Sequence, residues 1–180
     1  MTGLITRLSR LLTDTDEDAM ARVKARDDHQ AFARLVGRWE KPIRQLCARM
    51  TGDIHRAEDL KQETFVRLFE KRKAYQNTGR FSTYLWRIAL NLCYDELRRQ
   101  ERRRRFIRET PPSEDSESES FQFEAQSPGP DVRAAQSEES DLVRGALLQL
   151  PELYRTVLVL RHYEGLKLAE IADVLEIPEG

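Results

Sequence analysis

The chain has 180 residues, of which 39% are hydrophobic and 34% charged, and its formal net charge is −1. This composition is typical of soluble helical proteins. No apolar run approaches the roughly 20 residues that span a bilayer, so no membrane insertion is expected. The first twelve residues lack the apolar core and cleavage site of a signal peptide, which indicates a cytoplasmic protein.

Residues 1–25 are predicted to form an N-terminal extension. Within it, residues 4–12 have the periodicity of an amphipathic helix, with Arg7 and Arg10 opposite the apolar side. This helix could pack on the rest of the chain or on a regulator, and the sequence does not distinguish the two.

Residues 26–105 are predicted to form an all-α domain. Apolar residues recur at spacings of three and four over 29–51, 55–74 and 82–105, which predicts one helix in each range. Ser82 is the expected N-cap of the third helix. No period-two pattern of any length indicates a strand.

Charge is strongly segregated after the third helix. Residues 98–105 contain six arginines and one glutamate, whereas residues 109–141 contain ten acids and one arginine. The range 106–140 is also rich in serine and proline and poor in aliphatic residues. It is therefore predicted to be a disordered acidic linker, because it cannot bury enough apolar surface to offset its ordering entropy.

Residues 141–180 are predicted to form a second, smaller helical unit. Leu147 and Leu150 belong to the apolar side of one helix, and Leu153 and Leu160 to that of the next, which begins near Pro151. A short helix over 168–175 follows.

Nothing in the sequence indicates catalysis. Cys47 and Cys93 each lie in a helical pattern and fit reduced, half-buried side chains. The three histidines have no metal-ligand spacing, and neither a phosphate loop nor a nucleophile elbow is present. The chain is therefore expected to be a binding protein rather than an enzyme, with no metal or cofactor.

Three segments in this order resemble the extracytoplasmic-function (ECF, group IV) sigma factors of the sigma-70 family. They are residues 57–65 (AEDLKQETF), residues 81–99 (FSTYLWRIALNLCYDELRR) and residues 150–180, which contain Leu-Pro, LAEIA and IPEG. The resemblance implies sigma region 2 over 26–105 and sigma region 4 over 141–180. It also implies core RNA polymerase, promoter DNA and an anti-sigma factor as partners.

On the second predicted helix, a polar face lies opposite the apolar one. Asp59, Gln62, Glu63 and Val66 occupy positions i, i+3, i+4 and i+7. A solvated helix face would show the same pattern. The resemblance implies that these residues bind a coiled coil on the largest subunit of core RNA polymerase.

On the third predicted helix, aromatic, arginine and asparagine side chains share one side. Arginine can hold phosphates, aromatic rings can stack on unpaired bases, and asparagine can read a base edge. Trp86 fits a core aromatic and a base contact about equally well. The residues expected to contact DNA on this helix are Tyr84, Trp86, Arg87, Asn91, Tyr94, Arg98 and Arg99.

The resemblance assigns this helix to the minus-ten promoter element, including its melted single strand, and assigns the preceding loop to an extruded base. Tyr75, Asn77, Phe81 and Tyr84 are the residues expected to form that base pocket. The arginine run is expected to contact duplex phosphates, with a strong dependence on salt. A solvated charge run and pairing with the acidic linker are the alternatives. These phosphate-binding residues are Arg102, Arg103, Arg104 and Arg105.

The end of the chain resembles the start of a helix-turn-helix, and we expect the recognition helix to begin near Glu179 and Gly180. The helix-turn-helix is therefore predicted to be incomplete, as a truncation. Glu176 lies where the turn usually carries glycine, and a left-handed glutamate there would cost about 1 kcal/mol.

One alternative to a complete sigma factor is a truncated interaction module that binds an anti-sigma regulator. Another is a stand-alone repressor, which leaves the polar face and the aromatic stripe unexplained.

Overall fold

The structure, a computed structural model, describes residues 15–109 and 142–178, and these residues form helices without any strand. The prediction of an all-α protein is confirmed. The predicted helix at 4–12 and residues 110–140 of the predicted linker lie outside the described residues. The elements are α1 (Asp16–Arg26), α2 (His29–Thr51), α3 (Ile54–Glu70) with a 3-10 turn (Lys71–Ala74), α4 (Phe81–Glu109), α5 (142–149), α6 (Glu152–Leu158, continuing as a π-helical turn, Val159–Tyr163) and α7 (Leu168–Leu175).

Short acidic caps set the starts of α2 and α3. Asp28 accepts a hydrogen bond from the backbone N–H of Ala31 at 3.0 Å, and Asp53 accepts one from Arg56 at 2.9 Å. Each cap satisfies a backbone donor that has no partner within its own helix. Gly52 ends α2 in the left-handed conformation, with φ of 77°, which glycine adopts without steric cost.

Helix α1 is an element that apolar periodicity did not predict. Its N-cap is Thr15, whose side chain accepts a hydrogen bond from the backbone of Asp18 at 3.1 Å. Acidic residues fill its first turn, where they interact favourably with the helix dipole. The sequence signal for α1 was therefore its cap rather than its apolar spacing. The residues that α1 buries are Ala19, Met20 and Val23.

Helix α4 begins one residue before the predicted N-cap, so the assignment of Ser82 was wrong. A carboxylate from α1 caps this helix instead, because the backbone N–H of Phe81 donates to Glu17 at 2.8 Å. The helix continues to Glu109, beyond the predicted domain end at 105. The first residues of the predicted linker are thus helical.

Helices α1 to α4 enclose one apolar core. We call these helices, together with the core, the N-terminal unit (residues 15–109). Full burial of each aliphatic side chain contributes about 1.5–3 kcal/mol relative to exposure. Thr64 is buried among them and donates its hydroxyl hydrogen to the carbonyl of Leu60. The largest fully buried side chains of this unit are Met20, Val23, Leu35, Ile43, Leu46, Met50, Leu68, Phe81, Leu85 and Leu90.

The remaining helices, α5 to α7, form the C-terminal unit (residues 142–178), and here the predicted apolar sides were partly wrong. Leu153 is 52% exposed, whereas Arg155 and Thr156 are buried. The inward side of α6 is therefore polar at its start and apolar at Val159 and Leu160. Hydrogen bonds from Arg155 to backbone carbonyls make this burial possible.

Candidate functional site

The predicted docking face lies on the outer surface of α3. Asp59, Gln62 and Val66 are exposed and Glu63 is half-buried, so all four side chains are accessible to a partner. Arg67 forms an ion pair with Glu63 at 2.8 Å, one turn along the same helix. The face combines acidic, amide and apolar groups, which suits a basic partner helix.

A partly buried ion pair lies beneath this face. Arg56 donates to Glu96 of α4 at 2.7 Å and to Asp59 at 3.1 Å, so one guanidinium joins the docking face to α4. Burial alone would raise the pKa of Glu96, but the hydrogen bonds from Arg56 and Gln100 outweigh burial and lower it. Arg56 was not among the residues predicted for this site, although its spacing of three from Asp59 was a usable signal.

The predicted promoter-reading stripe runs along α4 and is only partly exposed. Asn91 and Arg98 are exposed, while Tyr84, Arg87 and Tyr94 are half-buried. Burial raises the pKa values of the Tyr84 and Tyr94 phenols. Both therefore remain neutral hydrogen-bonding groups at physiological pH. The stripe offers an amide, a phenol and guanidinium groups within four turns of one helix.

Three residues predicted to contact DNA belong to the core instead. Tyr75 is 2%, Phe81 0% and Trp86 3% exposed, so none of them presents a ring face to a base. The Trp86 ring makes an edge contact with Trp39 at 5.5 Å between centroids. The Tyr75 ring lies 5.2 Å from that of Tyr84. These aromatic contacts pack the start of α4 into the core.

In the loop before α4, one residue predicted to form the base pocket is exposed. Asn77 is exposed, and the chain on its N-terminal side is held in place because Lys24 donates to the carbonyl of Tyr75 at 2.5 Å. The Tyr75 hydroxyl is buried without a hydrogen-bond partner in the structure, and burial raises the pKa of Tyr75 to about 12.

The arginine run projects from the last turns of α4. Arg99 lies 3.7 Å from Glu96, and Arg105 lies 3.0 Å from Glu101. The side chains of the predicted phosphate-binding residues are exposed, which makes them accessible to a polyanion. These exposed residues are Arg102, Arg103, Arg104 and Arg105, and Arg98 and Arg99, which were predicted to contact the minus-ten element, are exposed as well.

The start of the predicted helix-turn-helix has the expected geometry. Helix α7 ends at Leu175, and Glu176 is left-handed with φ of 56°, as expected for a position that usually carries glycine. Residues 179–180, where the recognition helix was expected to begin, lie outside the described residues. Within the described part of the chain, no cluster of His, Cys, Asp or Glu could hold a metal ion. No helix in that part is long and apolar enough to cross a membrane.

An acidic face on α3, an arginine-rich side of the long helix α4 and the supporting helix of the predicted helix-turn-helix are the features expected of a helical transcription factor. Two family models match the chain: "Sigma-70 region 2" over residues 35–103 and "Sigma-70, region 4" over residues 140–180.

Curated relatives agree with these matches. The chain is 37% identical to the ECF RNA polymerase sigma factor SigW of Bacillus subtilis, over 85% of this chain and 81% of the relative. It is 32% identical to the RNA polymerase sigma-H factor of Pseudomonas aeruginosa, over 94% of this chain and 87% of the relative.

A solved structure shares the fold. Its title is "Structure of CnrH in complex with the cytosolic domain of CnrY", and the likeness has a TM-score of 0.64 and 22% identity over 92% of this chain and 85% of that chain. The family models and the curated relatives show that the chain belongs to the ECF sigma factors of the sigma-70 family. It is a sigma factor for transcription initiation that binds core RNA polymerase and promoter DNA.

Proposed function

We propose that the exposed face of α3 is the surface through which the chain binds core RNA polymerase. Its centre is Asp59, Gln62 and Glu63, with Val66 as the apolar edge, and its partner is the coiled coil of the largest subunit. The exposure of these side chains on one helix face supports the proposal. Arg56 holds Asp59 through the ion pair with Glu96, which limits the side-chain entropy lost on binding.

For promoter recognition, we propose that α4 binds the melted minus-ten strand through Tyr84, Arg87, Asn91 and Tyr94. Asn77 in the preceding loop is proposed to contact the extruded base. Tyr75, Phe81 and Trp86 support this surface from the core and are not proposed as base contacts. The combination of rings, an amide and cations along one helix carries this proposal.

Duplex phosphates next to the melted segment are proposed to bind the arginine run. Each phosphate neutralised by an arginine makes affinity more dependent on salt, because it releases counterions from DNA. The contacting residues are proposed to be Arg98, Arg99, Arg102, Arg103, Arg104 and Arg105. Because its proposed partners, core RNA polymerase and chromosomal DNA, lie in the cytoplasm, the protein is proposed to act there, and no catalytic step is proposed for it.

A regulatory anti-sigma protein is a further proposed partner. The structural neighbour was solved together with a cytosolic domain of a second protein, which supports a partner of this kind. Several apolar side chains of α5 and α6 are exposed and could contact it. They are Leu142, Val143, Leu153, Tyr154 and Leu158.

Binding to core RNA polymerase tests the proposed docking face. The double variant Asp59→Ala/Glu63→Lys is expected to bind core enzyme at least about tenfold more weakly. It removes the negative charge of Asp59 and reverses that of Glu63. Glu40→Lys is the control, because it makes the same charge reversal as Glu63→Lys at an exposed position on α2. Equal affinities for the double variant and the control would refute the proposed face.

A fluorescent promoter bubble bound to the assembled holoenzyme tests the promoter-reading stripe. Asn91→Ala is expected to join core enzyme normally but to hold the bubble at least about fivefold more weakly, which corresponds to the loss of one base-edge contact. Gln30→Ala is the control, an amide removed from an exposed position on α2. If wild type does not associate with core enzyme at all, a chain that only binds a regulator becomes the leading hypothesis.

A further inference from the structure

We propose that two charged residues of α1, Glu17 and Lys24, are positioning residues for promoter recognition, because they hold the two ends of the loop that carries Asn77 and so set the geometry of the base pocket. Their role in base binding rests on the proposed function of Asn77. Neither residue belongs to the proposed polymerase-binding or DNA-binding surfaces.

Both ends of the loop are bound by side chains of α1. The ammonium group of Lys24 donates to the carbonyl oxygen of Tyr75 at 2.5 Å, where the loop begins. The carboxylate of Glu17 accepts from the backbone N–H of Phe81 at 2.8 Å, where the loop ends and α4 begins. Each of these hydrogen bonds includes a charged group, and such bonds are roughly twice as strong as those between neutral groups.

The positions of the two residues on α1 suit this role. Glu17 and Lys24 are seven residues apart, so they lie on the same side of the helix and about 10 Å apart along its axis. Met20 lies between them on that side and is fully buried in the core. Asp16 accepts a hydrogen bond from the indole N–H of Trp39 at 3.0 Å, which joins the start of α1 to α2. The two side chains therefore extend from a helix that is itself held in place.

Further contacts join α1 to the 3-10 turn that leads into the loop. Asp27, which follows α1 in the left-handed conformation, forms ion pairs with Arg72 and, at 3.2 Å, with Lys73. The hydrogen bonds from Arg72 and Lys73 lower the pKa of Asp27, so its carboxylate stays ionised at physiological pH. Lys73 also donates to the carbonyl oxygen of Lys24 at 2.8 Å. The chain is thus held by α1 before the loop as well as at both of its ends.

Between its two ends, the loop is exposed. Residues 76–80 are all exposed, and no hydrogen bond of residues 76–79 is seen in the described part of the chain. The rings of Tyr75 and Phe81 pack together across the loop ends, with 6.3 Å between their centroids. The position of Asn77 therefore depends on where the two ends are held. A loop whose ends are fixed loses less conformational entropy when it binds an extruded base.

The test measures how strongly DNA binding by the holoenzyme depends on the extruded base. The probe is a fluorescent promoter bubble that wild-type holoenzyme selects from a pool randomised over the melted segment. An abasic site is then introduced at each melted position in turn. The position bound by the loop is the one where removal of the base weakens binding by wild type but has little effect on Asn77→Ala. We call the affinity for the intact bubble, divided by that for the abasic bubble at this position, the base ratio.

Glu17→Ala and Lys24→Met are each expected to lower the base ratio at least about fivefold, with a much smaller change in affinity for the abasic bubble. The two variants change the net charge in opposite directions, so the general attraction between DNA and cations cannot explain a reduction in both. Glu17→Gln keeps an acceptor and Lys24→Arg keeps a donor, and both are expected to recover most of the base ratio. Affinity for core RNA polymerase should not change, because the proposed docking face lies on α3.

Val23→Ala is the control for a purely structural role, because it leaves a cavity beneath α1 but removes neither hydrogen bond. It should lower the midpoint of urea unfolding and leave the base ratio near that of wild type. A wild-type base ratio in both Glu17→Ala and Lys24→Met, or an equal reduction in Val23→Ala, would overturn the inference.

A loss of helix content in Glu17→Ala, measured by circular dichroism, would leave the decision to Lys24→Met and its rescue by Lys24→Arg. Failure of the proposed function is distinguishable from failure of α1 as the positioning helix. In that case Asn77→Ala would keep the wild-type dependence on every melted base, and the inference would be overturned together with the base pocket.

Discussion

The guanidinium of Arg155 lies 2.6 Å from the carbonyl oxygen of Met50, at the end of α2 and 105 residues earlier in the chain. Its other nitrogens donate to the carbonyls of Leu147 and Leu148, in the last turn of α5, and of Leu150, between α5 and α6. One side chain thus closes the α5–α6 turn and joins it to the N-terminal unit. Burial lowers the pKa of Arg155, but the group remains charged at physiological pH.

Replacement of Arg155 by methionine is expected to destabilise the fold by about 2–4 kcal/mol, because it leaves buried carbonyl oxygens without donors. The measurement is urea unfolding followed by circular dichroism. Arg161→Met is the matched control, since Arg161 is exposed and donates only to the carbonyl of Leu166 among the bonds described for it. A control that loses as much stability as Arg155→Met would contradict the assignment.

Replacement by alanine is expected to have opposite effects on stability at Gly37, within α2, and at Gly52, which ends α2. Gly52→Ala should destabilise by about 1–3 kcal/mol, because position 52 has φ of 77° and the new Cβ would meet Leu148. Gly37→Ala should stabilise by about 0.5–1 kcal/mol, because that helical position has open space around it. Thermal midpoints of the two variants provide the comparison.

Shortening the neighbour separates the two causes at position 52. Gly52→Ala/Leu148→Ala keeps the backbone strain but removes the clash, so it should lose less than the sum of its single variants. Additive losses would show that backbone strain alone accounts for the cost.

Acid sensitivity is expected from the ion pair between Arg56 and Glu96. Because the pKa of Glu96 is lowered below its ordinary 4.5 in the fold, the pair contributes stability above about pH 4.5. That contribution is lost as pH falls through the lower folded-state pKa. Glu96→Gln should cost roughly 1–2 kcal/mol at pH 7, with a smaller difference from wild type at pH 3.

The control for acid sensitivity is Glu101→Gln. Glu101 pairs with Arg105 on the exposed side of α4, and such surface pairs contribute little. Denaturant unfolding of both variants between pH 3 and pH 7 provides the test. A cost of Glu96→Gln that stays constant across this range would contradict a charge-dependent role.

Both cysteines are expected to be inert in the folded protein. Cys47 and Cys93 are buried, and the hydrogen bond between their thiols together with burial raises the pKa of Cys93. Since the thiolate is the reactive form, a disulfide-forming thiol reagent should modify neither residue under native conditions and both in denaturant. Rapid native modification of either thiol would show that this part of the core opens readily.

Local sequence determined the helices and the order of the functional surfaces. The apolar spacing predicted α2, α3 and α4 because each helix buries one continuous side, and the polar face with Asp59 followed as the opposite side. The left-handed Glu176 was also predictable, since it occupies the turn that follows a short apolar helix. The cap at Thr15 could have revealed α1 by the same local rules.

Only the tertiary structure decided which side chains remain at the surface. Tyr75, Phe81 and Trp86 share with Tyr84 a composition suited to base stacking, but packing against α1 and α2 buries three of these four rings. The inward position of Arg155 depends partly on one carbonyl acceptor at the end of α2, that of Met50, which lies 105 residues earlier in the chain. The periodicity of a sequence shows which residues share a side of a helix. Whether that side is buried depends on which other helix packs against it, and this is set by the tertiary fold.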